Sequence, residues 1–170
     1  MPRPSATEYG SFHQTYINYT SGKDYSILVQ QYNDRIIDAW NAIPTEKINF
    51  AYAPDKWTIK QMLQHVIDTE RIFAYRALSI ARGEATPLLG FDENAYAQQG
   101  KAVHRNWKEM IAEWKIVRQS TNMLFASFNE EDLKQKGTAS NLPLSVNATG
   151  FIIFGHALHH LHVLKERYGI

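Results

Sequence analysis

The sequence predicts an all-α fold, an up-and-down four-helix bundle that forms a single domain over residues 1–170. Three observations support this prediction. Four long segments place apolar residues at helical spacing, turn-rich segments separate them, and the alternation typical of β-strands is weak throughout. Because each such helix has one apolar face, four of them bury those faces most simply against one another.

The first two helices differ in the clarity of their signals. The first is predicted at about residues 24–42, where a loose apolar stripe ends before Pro44. The second is predicted at residues 58–81. Thr58 and Gln61 form a Thr-x-x-Gln capping box at its start, and Gly83 ends it.

The third and fourth helices are predicted in the second half of the chain. The third covers about residues 103–128, and a short helical turn, EEDLKQK, follows it. Residues 138–150 have the composition of a polar connector, and the fourth helix begins near Ser145 or Asn147 and ends near Tyr168. Residues 12–20 are the one candidate strand, although no second strand is predicted to pair with it.

Residues 83–102 predict a long loop after the second helix, because they combine proline, glycines and mixed polarity. A loop of about 20 residues in a compact domain is usually functional. If the second and fourth helices run parallel, as alternating directions require, this loop begins at the far end of the bundle from their shared start. It is long enough to fold back toward that end.

The composition excludes several classes of function. The net charge of +1 provides no field that would attract nucleic acid or anionic lipid. No apolar run approaches the roughly 20 residues of a membrane helix, and the N-terminus lacks the apolar core of a secretory signal. The chain has no cysteine, so we expect a cytoplasmic protein whose metal ligands, if any, are nitrogen and oxygen.

Four of the seven histidines lie within the stretch GHALHHLHVLKERY, residues 155–168. On a helical wheel of about 100° per residue, His156 and His160 lie within the apolar stripe, His159 lies at its edge and His162 points away. In the second helix, His65 lies on the apolar side. Two histidines spaced i, i+4 can bind one metal ion, so these three inward histidines predict a triad that leaves coordination positions open.

The residues by themselves leave another interpretation open. A single inward histidine is more often a hydrogen-bonded core residue than a metal ligand. The triad and a packed, metal-free core therefore remain alternatives at this point. His13 and His104 have no patterned neighbours, so they receive no role.

Three stretches, taken together, resemble a known family. KWTIKQMLQHVIDTERIFAYRALSIARGE, GFDENAYA and GFIIFGHALHHLHVLKERY have the order and spacing found in the DinB-like superfamily of four-helix metal proteins, and the resemblance covers about residues 16–168. It implies one divalent metal ion held by three histidines, which map onto His65, His156 and His160. Imidazole ligands suit zinc or nickel, and the sequence does not choose between them.

Four residues are candidates for acid–base or hydrogen-bonding roles beside such a metal. Asp68, one turn after His65, could orient a ligand imidazole. Asp92 and Glu93 lie on the long loop, and either could serve as a general base against the alternative of a solvated carboxylate. Tyr96 on the same loop could donate a hydrogen bond to a substrate.

Two further charged residues lie on the second helix. Arg76 is predicted to point inward, which is costly for an unpaired charge, so we expect it to close a buried ion pair or else to bind an anionic substrate group. Glu70 points further round the helix and is expected to pair with an arginine on a neighbouring helix.

The resemblance implies a metal-dependent enzyme that acts on a small molecule, either a hydrolase or a thiol S-transferase. The alternative is a non-catalytic protein in which the metal is a structural staple or a sensor, and a third interpretation is a metal-free binding module. An open coordination site favours the enzyme, and closure by four protein ligands favours the staple. We also expect a homodimer, because 12% of the residues are aromatic and family members are often dimeric.

Overall fold

A computed structural model describes residues 2–170, and the all-α four-helix bundle is confirmed. Four long helices form the bundle, and three short helices and one hairpin join or flank them. Their bounds are α1 Gln14–Asn18, α2 Tyr25–Asn41, α3 Ile59–Ala81, α4 Glu93–Gln99, α5 Trp107–Ala126, α6 Glu130–Lys134, β1 Lys136–Ala139, β2 Leu142–Ser145 and α7 Val146–Tyr168. Single 3-10 turns lie at Ser11–His13, Thr45–Lys47 and Ala102–His104.

Side-chain caps fix where the long helices begin. The Thr58 hydroxyl accepts from the backbone N–H of Gln61, whose side chain accepts from the backbone N–H of Thr58, so the predicted capping box is confirmed. Asn106 accepts from two backbone N–H groups of α5. This cap starts the third long helix at Trp107 rather than near residue 103.

The four long helices run up, down, down and up. The hydroxyl of Tyr168, at the end of α7, donates to the carbonyl of Trp57, just before α3, at 2.7 Å. α7 is therefore antiparallel to α3. Arg105 and Arg118 meet Gln64 and Glu70 in the same order, so α5 runs parallel to α3. The prediction that the second and fourth helices are parallel is wrong.

The directions of α3 and α5 explain why the loop between them is long. α3 ends at one end of the bundle and α5 begins at the other, so residues 82–106 must cross the length of α3, roughly 35 Å at 1.5 Å per residue. The crossover contains α4 and is tied to the hairpin by Leu88, which donates to Thr138 at 2.8 Å and accepts from Ser140 at 3.0 Å. It lies along the side of the bundle rather than at its end.

Two sequence-based predictions about strands are corrected. Residues 12–20 form a 3-10 turn and α1 instead of a strand, because a helix satisfies its own backbone hydrogen bonds where no partner strand is available. The predicted polar connector contains β2 and the first turn of α7. β1 and β2 are joined at Ser140 and Asn141, whose φ values of +53° and +61° suit a tight hairpin turn.

α7 is the central helix of the molecule. Helices α1, α2 and α3 all pack against it, so it is buried along most of its length. The fully buried aromatic side chains Phe151 and Phe154 of α7 belong to the same core as Trp40 and Trp114. Within residues 2–170, no helix has both the length and the apolar character needed to cross a membrane.

Gly155 allows α1 to contact α7 backbone to backbone. A Cβ atom at this position would overlap the carbonyl oxygen of Tyr16. We expect Gly155→Ala to lower the free energy of unfolding by about 3 kcal/mol or more, because a rigid backbone must move. Gly83→Ala is the control: its φ is +80° but nothing lies within 4 Å, so only the backbone cost of roughly 1–2 kcal/mol is expected. Equal denaturation midpoints for the two variants would contradict this close approach.

Candidate metal centre

The three predicted inward histidines meet in the bundle. Nε2 of His156 lies 2.9 Å from Nε2 of His65 and 3.0 Å from Nε2 of His160, and the candidate ligand atoms all lie within 4.8 Å of one another. His65 lies near the start of α3 and His160 near the end of α7. Because these helices are antiparallel, the two ends coincide and bring the imidazoles to the same depth.

The nitrogen atoms of this triad form a donor set that suits a cation. The Nε2 of a neutral imidazole has either one proton or one lone pair, so His156 cannot make a good hydrogen bond to both neighbours at once. A metal ion accepts a lone pair from each of the three. Nitrogens that share a zinc ion lie roughly 3.3 Å apart, since each Zn–N bond is about 2.0–2.1 Å, and the observed separations are close to this.

Burial keeps these imidazoles in the neutral form that binds metals. Desolvation lowers the pKa of His65 to about 4 and the pKa values of His156 and His160 well below 6.5, and the charges of neighbouring histidines act in the same direction. The Nδ1 atoms of His65 and His160 have weak hydrogen bonds or none. Nδ1 of His65 lies 3.4 Å from the Thr69 hydroxyl, and Nδ1 of His160 has no hydrogen-bond partner within residues 2–170.

We expect the metal-free protein to lose stability as the pH falls below about 6.5. The folded state keeps the pKa of His13 and His65 at about 4 and holds those of His156 and His160 low, whereas the unfolded chain protonates all four near 6.5. Since the unfolded state then binds more protons, four groups give a slope of up to roughly 5 kcal/mol per pH unit. Urea unfolding at pH 7.5, 6 and 5 measures it, and equal midpoints at these pH values would contradict the neutral burial.

A cavity of about 440 Å³ opens onto the triad. Its wall includes Tyr16 from α1, Glu93 from the start of α4, His159 from α7 and Arg76 from α3. Within residues 2–170, the group of side chains able to hold a metal here consists of the three histidines, without a carboxylate. The triad therefore faces free space instead of being closed by a fourth protein ligand.

Two of the predicted catalytic residues lie away from the triad. Asp68 accepts a hydrogen bond from Gln64 at 3.0 Å and lies 3.9 Å from the guanidinium of Arg71. It lines a separate hollow together with Tyr96, whose side chain is exposed. Asp68 was expected to orient the His65 imidazole, but its partners are Gln64 and Arg71. The side chain beside Nδ1 of His65 is instead that of Thr69, one turn further along α3.

The crossover brings one of its two candidate carboxylates to the cavity. Glu93 lines the cavity, and its charge contributes to raising the pKa of Tyr16 to about 12, after the larger effect of burial. Asp92 is exposed, and its carboxylate accepts from the backbone N–H groups of Asn94 and Ala95. Asp92 therefore caps α4, whereas Glu93 directly after it, which is also exposed, is one of the residues that line the cavity.

The buried ion pair lies at a different arginine from the one expected. No carboxylate within residues 2–170 lies within 4 Å of the Arg76 guanidinium, so the ion pair predicted for Arg76 is wrong. Glu70 instead pairs with Arg118 of α5 at 2.7 Å, as expected for Glu70, and also accepts from the indole N–H of Trp114. α5 supplies a cation to Glu70 because it runs beside α3.

Sequence reasoning missed the contribution of α1. The rings of Tyr16 and His156 meet edge to face at 5.3 Å, and His13 also lines the cavity. A signal was present, because His13, Tyr16, Ile17 and Thr20 have the i, i+3, i+4, i+7 spacing of a helix. The signal is weak because α1 is only five residues long, too short for helical spacing to be distinguished clearly from a strand.

Comparison with known families decides the membership of the chain. The model of the DinB superfamily matches residues 28–164, most of the four-helix bundle. The chain belongs to the DinB superfamily. A search of curated protein sequences finds no match.

One solved structure similar to this DinB superfamily protein is YfiT from Bacillus subtilis, described as a probable metal-dependent hydrolase with an unusual four-helix bundle topology. The TM-score is 0.70 at 15% identity, over 98% of this chain and 93% of that chain. At this identity the likeness shows the shared fold alone.

Proposed function

We propose that this DinB superfamily protein is a metal-dependent enzyme that hydrolyses a small molecule. The observation that carries the proposal is the buried triad of three histidines, which opens onto a cavity of about 440 Å³. A structural staple is usually closed by four protein ligands, so the open side favours catalysis over the staple or sensor. The description of YfiT as a probable metal-dependent hydrolase supports our choice of hydrolysis over thiol S-transfer for this proposal.

His65, His156 and His160 would hold one divalent ion, zinc or nickel, through Nε2. The ion would act as a Lewis acid that activates water or polarises a substrate carbonyl. Glu93 is the carboxylate on the cavity wall, so it is the group placed to accept a proton from the attacking nucleophile. A tyrosine hydroxyl is protonated at neutral pH, and burial raises the pKa of Tyr16 further, to about 12, so this hydroxyl can donate a hydrogen bond to a substrate oxygen.

We expect Glu93→Gln to lower kcat by about 10²–10⁴-fold without loss of metal, because it removes the proton acceptor and keeps the shape of the side chain. The assay compares zinc-loaded and metal-stripped protein on small chromogenic esters such as nitrophenyl acetate. Asp92→Asn is the matched control, since Asp92 is the neighbouring carboxylate outside the cavity wall. Unchanged kcat in Glu93→Gln would remove the general base. A metal that raises the melting temperature without supporting turnover would favour the staple.

We further propose that the protein is a homodimer in the cytoplasm. Exposed apolar side chains at Ile116 and Met123, both 68% exposed on α5, support an apolar contact surface. Light scattering at micromolar concentration tests the dimer, and a monomeric mass would exclude it. The cytoplasmic location and the absence of nucleic-acid and membrane partners remain predictions from the composition.

A further inference from the structure

Arg76 carries a buried positive charge that the protein leaves unmatched. Its side chain is 3% exposed and lies in the wall of the cavity that holds the triad. Within residues 2–170, no carboxylate lies within 4 Å of its guanidinium, although Glu93 lines the same cavity. A buried charge without a counter-charge is unfavourable, which is why such groups are usually paired or serve a ligand.

The hydrogen bonds of this guanidinium leave donors free. Nη2 donates to the carbonyl of Leu89 at 2.9 Å and to the hydroxyl of Ser140 at 3.0 Å, and both acceptors are neutral. Nε has no partner within residues 2–170. The nearby imidazole of His13 adds no second charge, because burial and the charge of Arg76 lower its pKa to about 4. This part of the cavity wall therefore holds a single positive charge, and its guanidinium has an N–H group without an acceptor.

Two separate segments hold the guanidinium in place. Leu89 belongs to the crossover, and Ser140 lies in the hairpin turn with a φ of +53°, in a region that non-glycine residues rarely adopt. The crossover and the hairpin are hydrogen-bonded to each other through Leu88 and Ser140. A donor fixed from two sides loses little freedom when it binds an anion.

The triad and Arg76 line the same cavity at two separate places. His65, Thr69, Phe73 and Arg76 follow one face of α3, with about 16 Å of helix rise between the first and the last. The Arg76 guanidinium lies 5.0 Å from the centre of the Phe73 ring, so the side chain reaches back toward the triad. The aromatic rings of Phe12, Phe73 and Phe91 are part of the same wall.

We propose that Arg76 binds the carboxylate of the substrate, and that the substrate is a small monocarboxylate with an apolar or aromatic middle whose reacting group faces the triad. One guanidinium matches one negative charge, which favours a carboxylate over a doubly charged phosphate. The aromatic wall matches the apolar middle. The position of the reacting group at the triad rests on the proposed function, whereas the carboxylate-binding site depends only on Arg76.

Isothermal titration calorimetry with three matched probes tests this assignment. The probes are phenylacetate, the neutral phenylacetamide and the doubly charged benzylphosphonate, each added to zinc-loaded protein. We expect phenylacetate to bind about 10-fold or more tightly than phenylacetamide, since a charge-assisted hydrogen bond is worth that factor. Arg76→Met should remove the preference, Arg76→Lys should keep part of it, and Arg71→Met, which changes a half-exposed arginine on the same helix, should leave it intact.

Three results would overturn the assignment. A preference that persists in folded Arg76→Met would show that the carboxylate binds elsewhere, including at the metal. Tighter binding of benzylphosphonate than of phenylacetate would exclude a monocarboxylate as the substrate. Absence of binding by all three probes at millimolar concentration would exclude an anion-binding site at Arg76. The same titrations on metal-stripped protein separate the two proposals, because an Arg76-dependent preference there survives even if the enzyme proposal fails.

Discussion

Replacement of His65 or His160 by alanine is expected to abolish stoichiometric metal binding. Each variant removes one of three converging nitrogens, and even residues that only orient a ligand typically contribute 10–100-fold to metal affinity. We therefore expect more than about 100-fold weaker binding, from about one ion per chain to traces after dialysis. Elemental analysis of the purified variants measures the loss.

His162→Ala is the matched control for this experiment. It removes a histidine from the same helix whose side chain is exposed, and the structure places it outside the group of converging nitrogens. We expect its metal content to equal that of the unmodified protein. Loss of metal from the His162 variant with retention in the His160 variant would refute the triad.

Among the single substitutions of charged residues considered, removal of Arg118 is expected to produce the largest loss of stability. Arg118 and Glu70 are 2% and 3% exposed, and the Arg118 Nε and Nη2 groups both donate to one Glu70 oxygen. Arg118→Met leaves the Glu70 carboxylate buried without its cation, which typically costs about 3–5 kcal/mol. For a chain of this length the melting temperature should fall by roughly 10 °C.

Two further variants test whether the loss comes from the unpaired Glu70 charge. Arg71 pairs with Glu113 at 2.7 Å but is half exposed, so Arg71→Met should cost less than about 1 kcal/mol. The double variant Glu70→Leu with Arg118→Met removes both charges and should recover much of the lost stability. Equal losses for the Arg118 single variant and the double variant would show that packing, and not the unpaired charge, carries the effect.

Several features could be predicted from the sequence because they depend on neighbouring residues. The capping box at Thr58 and Gln61 fixes the start of α3 through hydrogen bonds within four residues. The helical period alone selected His65, His156 and His160 as inward residues, because the apolar stripe determines which face is buried. The resemblance to the DinB-like superfamily added the expectation of a shared metal.

Other features depend on contacts between segments that are distant in the chain. Arg76 lacks a carboxylate partner and Glu70 has an arginine partner, and both outcomes depend on which helix lies beside α3. The sequence showed that each needs a partner, and only the parallel packing of α5 decided that Arg118 pairs with Glu70. Tyr16 reaches His156 because Gly155 lets α1 approach α7, a contact between segments separated by more than 130 residues.

The sequence by itself determined the four helices, their buried faces and the three histidines, because periodicity and capping act over one or two turns of chain. The tertiary structure decided the directions of the helices, since the crossover of residues 82–106 is long enough to start α5 at the same end as α3. It also decided that Glu93, rather than Asp92, Tyr96 or Asp68, lines the cavity beside the triad. Those outcomes depend on how α4 and the hairpin pack against α3, and local patterns contain no information about that packing.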